Sequence, residues 1–249
     1  MKMPYLSFTC RIPFGARPGN GEMVVLIHGL GLRGVCMIPL AGKLVSQGYA
    51  CAIHDYPSTR FGIDRHVEEL SKSLGRMLES CPEVKRIHMV GHSLGGIIAL
   101  RTMQRLDRRV RGRLVLIGTP VQGSSVADFF MNVPLVPLML RPLRELGSGR
   151  CAEKVPKDGP DRIEAGVIAG LFDRKARVGE THIEGVSGRL IVPGFHTFLM
   201  IRRDSMDGVC DFINHGSFNP NPILKAIRNY DGDVGLLHIA ASPDQSSTL

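Results

Sequence analysis

The chain has 249 residues, 43% apolar and 22% charged, a size and composition suited to one large α/β domain with a sizeable core. Its 31 Lys and Arg against 23 Asp and Glu give a net charge of +8, yet the arginines are scattered apart from a group at Arg101 to Arg113 near a predicted helix end, and neither a nucleic-acid motif nor aromatic interleaving accompanies them, so no nucleic-acid partner is expected. Six cysteines without C-x-x-C or metal-ligand spacing suit a reducing compartment, and the absence of a signal-type apolar region in Met1 to Asn20, or of any run of membrane-spanning length, leads us to expect a cytoplasmic protein. Cys36 and Cys51 read as buried small hydrophobes.

Met23 to His28 is a continuous apolar run, the mark of a strand buried on both faces of a parallel sheet. The string that follows, Gly29-Leu30-Gly31-Leu32-Arg33-Gly34, admits two readings. As G-x-G-x-x-G, with Asp55 at the end of the next strand, it suggests a dinucleotide site and an NAD(P)-dependent oxidoreductase. As a His-Gly loop it offers the Leu30 backbone N–H to a developing oxyanion. Pro39 favours the second reading, because a helix starting inside the glycine string would meet this proline in its second turn at a cost of ~3 kcal/mol. A helix over Pro39 to Gln47, closed by Gly48, has no such conflict. Tyr49 to His54 is the next strand and Asp55 to Ser58 a turn. Ile63, Val67, Leu70, Leu74 and Met77 then mark an amphipathic crossover helix ending before Pro82.

Val84 to Val90 reads as a strand and Leu94 to Leu106 as an apolar helix, with Gly91-His92-Ser93-Leu94-Gly95 between them. G-x-S-x-G at a strand-to-helix turn is a nucleophile elbow, which makes Ser93 the candidate nucleophile and the Leu94 N–H a second oxyanion donor. Arg113 to Gly118 is another buried strand. From Thr119 to Asp161 the rhythm breaks: Phe129 to Leu140 is apolar, but its prolines exclude a long helix or central strand. We expect a cap insertion over 119–161 with Phe129, Leu135 and Leu138 lining an acyl pocket; a satellite core beneath a long loop is the competing reading. Ala165 to Gly170 and Leu190 to Val192 resume the sheet, and a helix over Ser205 to Asn214 closes the domain at about residue 218. Residues 219–249 read as a loosely attached extension.

A triad in such a sheet runs Ser, then Asp or Glu, then His, each on a loop after a strand. Asp173 and His196 satisfy order and location, with Glu180 and Glu184, and His182, His215 and His238, as alternatives. The expectation is a serine hydrolase acting on an ester with an apolar acyl chain, needing no metal or organic cofactor. An acyltransferase using the same residues is equally compatible.

Leu26-Ile27-His28-Gly29-Leu30, Asp55-Tyr56-Pro57-Ser58-Thr59-Arg60, His92-Ser93-Leu94-Gly95-Gly96, Val192-Pro193-Gly194-Phe195-His196-Thr197-Phe198 and Phe212-Ile213-Asn214-His215-Gly216 together resemble small bacterial lipase-like α/β hydrolases, over about residues 23–218. The resemblance implies the α/β-hydrolase fold, carboxylic ester hydrolysis, Ser93 as nucleophile, His196 as its base, Asp173 as the acid and His28 to Leu30 as the oxyanion loop. The chain departs from that family before the acid, where Gly170 is almost joined to Asp173-Arg174-Lys175-Ala176 in place of a longer loop. The expected partner is a small-molecule or lipid ester, with peripheral, salt-sensitive contact to a membrane through the apolar segment at 129–140.

Overall fold

The computed structural model describes residues 10–14, 21–131, 140–147 and 153–219. Its elements in chain order are β1 (Cys10–Phe14), β2 (Glu22–Ile27), α1 (Ile38–Ser46), β3 (Ala50–His54), α2 (Ile63–Ser80), β4 (Arg86–His92), α3 (Leu94–Arg105), β5 (Arg111–Ile117), α4 (Ser125–Met131), β6 (Ala165–Gly170), β7 (Gly188–Val192) and α5 (Arg203–His215). The strands form one sheet in the order β1-β3-β2-β4-β5-β6-β7, with β1 antiparallel to β3 and the other six parallel. Strands alternating with helices about a parallel sheet make this the expected α/β-hydrolase architecture.

Both faces of the sheet are covered, which is why its strands read as unbroken apolar runs. Alternate residues of each strand serve opposite cores. Val25 and Ile27 of β2 and Met89 of β4 face α2 and α3, through Val67, Leu70, Leu74 and Ile97. Val24, Leu26 and Val90 face α1 and α5, through Leu40, Leu44, Val209 and Phe212. α2 buries the predicted Ile63, Val67, Leu70, Leu74 and Met77, with His66 and Ser73 beside them.

Register decides where the chemistry can lie. Ile27 is level with Gly91, His92 with Ile117, Ile117 with Ile168, and Gly170 with Val192. The loops after β2, β4, β5, β6 and β7 therefore leave from a common carboxyl edge. The chain steps from β2 outward to β3, then crosses to the other side of β2 for β4, so the glycine string and the elbow meet at the topological switch point, where open α/β sheets bind ligands.

One strand was not anticipated, and one expectation is corrected. The amino-terminal segment supplies the edge strand β1, which the prolines obscured; Pro13 is tolerated because an edge strand need not donate on both sides. Cys36 is half-buried, donating its thiol to the Arg33 carbonyl at 2.8 Å, whereas Cys51 is buried as expected, and burial pushes its thiol up to about 12.

The 119–161 excursion contains α4 and a single 3-10 turn at Arg141–Arg144 among its described residues. It is tied down at several points. Glu145 accepts the Ile63 N–H at the start of α2 at 3.2 Å, Ser124 N–H donates to the Leu146 carbonyl at 2.9 Å, and Glu153 pairs with Arg101 of α3 at 2.8 Å. Val121, Ala127, Leu146 and Val155 are buried in the core shared with α2 and α3, so these parts of the excursion pack as core.

Candidate active site

The turn from β4 into α3 is built by backbone packed against backbone. Ser93 has φ 54° and ψ −123°, the one positive φ outside glycine among the described residues. Such a conformation costs on the order of 1–3 kcal/mol and persists because its surroundings over-determine it. A Cβ on Gly95 would overlap the Ile27 and His28 carbonyls, and one on Gly91 would overlap the Gly95 carbonyl. The Ser93 N–H donates to the Ile117 carbonyl at 2.9 Å, locking the turn to β5. The hydroxyl is left half-exposed at the carboxyl edge.

His196 opens a 3-10 turn directly after β7, and its Nε2 lies 2.9 Å from Ser93 Oγ. Its Nδ1 lies 2.7 Å from Asp173 Oδ2. Asp173 is buried after β6, and its other oxygen accepts the N–H groups of Lys175 and Ala176 at 2.8 and 2.9 Å. Backbone donors thus hold one oxygen of this carboxylate, and the other faces the His196 ring as an acceptor. It therefore fixes the proton on His196 Nδ1, leaving Nε2 as the acceptor for the serine hydroxyl. The short loop from Gly170 suffices, because the Asp173 N–H turns back onto the Gly170 carbonyl at 3.2 Å.

The glycine string closes on the same point. A side chain on Gly29 would sit 3.0 Å from Ser93 Cβ, so the loop after β2 abuts the serine. Among the described residues no acceptor is bonded to the Leu30 N–H, nor to the Leu94 N–H, which as the first residue of α3 has none within the helix. The loop is propped from β3: Tyr56 Oη donates to the His28 carbonyl at 2.8 Å, and Ser58 Oγ accepts the Gly31 N–H at 3.0 Å. Burial pushes the Tyr56 phenol well up, so it stays a neutral donor between the stacked rings of His28 and His54.

The dinucleotide reading fails on this geometry. Its helix would have to open at the head of the glycine string, but only a 3-10 turn at Gly34–Met37 precedes α1, which begins at Ile38 with Pro39 in its first turn, and the Asp55 carboxylate accepts the Gly34 N–H at 2.9 Å. Both His196 ring nitrogens are taken, by Ser93 and Asp173, which leaves the other triad alternatives outside this chain of bonds. Glu180 caps Ser125 and the Arg177 N–H, His182 takes a bond from Arg189 at 2.6 Å, and His215 is exposed at the end of α5. Glu184 is exposed on the loop after β6. His238 lies outside the described residues, as do Leu135 and Leu138 of the expected acyl pocket; Phe129 falls on α4, whose described features do not extend to that side chain. Among the described residues no group of three or more His, Cys, Asp and Glu could hold a metal ion, and no helix is long and apolar enough to cross a membrane.

Two supports escaped the sequence reading. His92, the variable residue of G-x-S-x-G, is buried and its Nε2 lies 2.9 Å from the His196 carbonyl. Burial, reinforced by the neighbouring His196, pushes the His92 imidazole down to about 3, so it is neutral and donates through Nε2. Gly118, at φ 51°, backs the Asp173–His196 pair: a Cβ there would meet Leu199 Cδ1 at 2.9 Å and Asp173 Oδ2 at 3.2 Å. A glycine directly after β5 was the available signal.

Fold, elbow and carboxyl-edge site define an α/β hydrolase. Residues 24–202 match the alpha/beta hydrolase family, and the chain belongs to it. It is 28% identical over 102 residues to the pimeloyl-[acyl-carrier protein] methyl ester esterase of Aliivibrio salmonicida, covering 41% of this chain and 38% of that one. Among solved structures, the mature Bacillus licheniformis lipase BlEst2 superposes with a TM-score of 0.62 at 15% identity over 82% of this chain and 94% of that one. A type II thioesterase from the yersiniabactin biosynthetic pathway does so with 0.60 at 18% identity over 85% and 100%. The chain spans 32–57% of the length of the curated relatives it matches.

Proposed function

We propose that the protein hydrolyses a carboxylic ester through an acyl-serine intermediate on Ser93. The observation that carries this reading is the hydrogen-bonded chain from Ser93 Oγ through the His196 ring to Asp173, at 2.9 and 2.7 Å. In the first half-reaction His196 Nε2 takes the hydroxyl proton as Ser93 Oγ bonds to the acyl carbon. The carbonyl oxygen becomes an oxyanion facing the free N–H groups of Leu30 and Leu94, and Asp173 stabilises the imidazolium. Collapse breaks the bond to the alkoxy oxygen, which leaves with the proton from Nε2. Water, deprotonated by the same nitrogen, then attacks the acyl-serine, and the acid departs as Oγ recovers its proton.

Half-buried Leu30, Met131 and Leu140, packed on the core beneath the excursion, supply apolar surface on that side of the molecule and favour an apolar acyl group. The test is hydrolysis of p-nitrophenyl esters of increasing acyl length by the wild type and Ser93→Ala. The expected result is activity with a chain-length optimum, reduced about 10⁴-fold or more in the variant. Equal activity of the two proteins would remove Ser93 as nucleophile. Product analysis with an added alcohol distinguishes water from alcohol as the acyl acceptor.

A further inference from the structure

Five large apolar side chains are exposed among the described residues, and all five stand on loops that leave the carboxyl edge of the sheet. They are Val35 after β2, Phe172 after β6, and Phe195, Phe198 and Ile201 after β7, between 41% and 65% exposed. Phe172 adjoins Asp173 and Phe195 adjoins His196, and the two rings lie 5.8 Å apart. The apolar surface is thus concentrated at the mouth of the candidate active site. Scattered single hydrophobics need no explanation, but a gathering of this kind marks a contact surface.

Cations predominate among the unpaired charges of the same loops. Arg33, Arg174, Lys175 and Arg203 are exposed and make no ion pair among the described residues. Most carboxylates of these loops and of the turn after β3 are engaged, Asp173 by His196, Asp204 by Arg202 at 2.7 Å, Asp55 by the Gly34 N–H and Glu180 by the Ser125 and Arg177 N–H groups, while Glu184, later in the loop after β6, is exposed. Unpaired cations beside protruding phenylalanines suit insertion among anionic headgroups, where rings enter the apolar boundary and each nearby cation adds attraction. The chain's net charge of +8 acts in the same direction at longer range.

We infer that this rim docks the protein on an anionic lipid surface, with Ser93 facing the bilayer. The segment at 129–140, the contact expected from sequence, lies largely outside the described residues. Such docking rests on the ester-hydrolase reading only in making the surface the source of substrate; docking itself requires no turnover.

The experiment is co-sedimentation of full-length Ser93→Ala with vesicles containing phosphatidylglycerol and with vesicles of phosphatidylcholine alone. The protein should pellet with the anionic vesicles and be released by high salt. Phe172→Ser/Phe195→Ser/Phe198→Ser should weaken that binding about tenfold or more, and Arg174→Glu/Lys175→Glu should weaken it with the phenylalanines intact. Unchanged thermal midpoints would show that both variants fold. Failure to pellet, equal binding to both vesicle types, or binding indifferent to both variants would overturn the inference; capture of an acidic protein by this rim without vesicle binding would overturn it in favour of that partner. Because the readout is binding, its failure leaves the p-nitrophenyl ester result standing, and the reverse holds.

Discussion

Ser93 stands on backbone packed against backbone, whereas His196 and Asp173 stand on loops held by hydrogen bonds. At the elbow the neighbours of Gly91 and Gly95 are carbonyls and Cα atoms, which cannot rotate away. Across the cleft, Asp173 is held by the Lys175 and Ala176 N–H groups and His196 by the His92 ring. The first half of the site is specified sterically and admits no added atom. The second half is specified by donors and acceptors, and tolerates change that preserves them.

The sharpest way to break the first half is Gly95→Ala. Its methyl has no space between two carbonyls, and the expected outcome is loss of folded, soluble protein, read from expression and circular dichroism. Asp173→Asn should fold, because the amide oxygen can still accept from the backbone, but it no longer fixes the His196 proton; kcat should fall about 10³- to 10⁴-fold in steady-state assays. His92→Ala leaves the His196 carbonyl without its buried donor. A fall in kcat of about tenfold at nearly constant KM is expected, corresponding to loss of one buried hydrogen bond; an unchanged kcat would make His92 a core residue only.

A further effect, spread over pH, is on stability. Burial holds both His92 and His88 down at about 3 in the folded protein, while their unfolded values are about 6.5. Below pH 6.5 the unfolded chain binds protons that the folded chain refuses. Stability contributed by these groups is therefore complete above pH 6.5 and is lost as pH falls towards 3, on the order of 1 kcal/mol per pH unit for each histidine. Urea unfolding at stepped pH should show this slope, and His88→Gln should reduce it by one proton.

This contrast also governs what the sequence could reveal. The elbow was legible because steric demand leaves glycines at fixed spacing, and the α2 stripe because burial repeats at helical period. Asp173 and His196 could be placed by chain order and by the ends of β6 and β7. His92, Gly118, Tyr56 and Ser58 were not recognised as supports, since each acts on a residue brought near by strand register alone. The exposed phenylalanines were hidden for a related reason: Phe172 follows β6 while Phe195 and Phe198 follow β7, and they become one surface only when β6 and β7 pair. β1 was missed because Pro13 argues against a strand until the edge position is known.

The bond from the Ser93 N–H to the Ile117 carbonyl makes the nucleophile's own amide a rung between the two central strands. That amide can trade its hydrogen for deuterium only when the middle of the sheet parts, while the hydroxyl three bonds along the same residue meets solvent at the cleft. One residue thus keeps two clocks, a fast one for chemistry and a slow one for the fold.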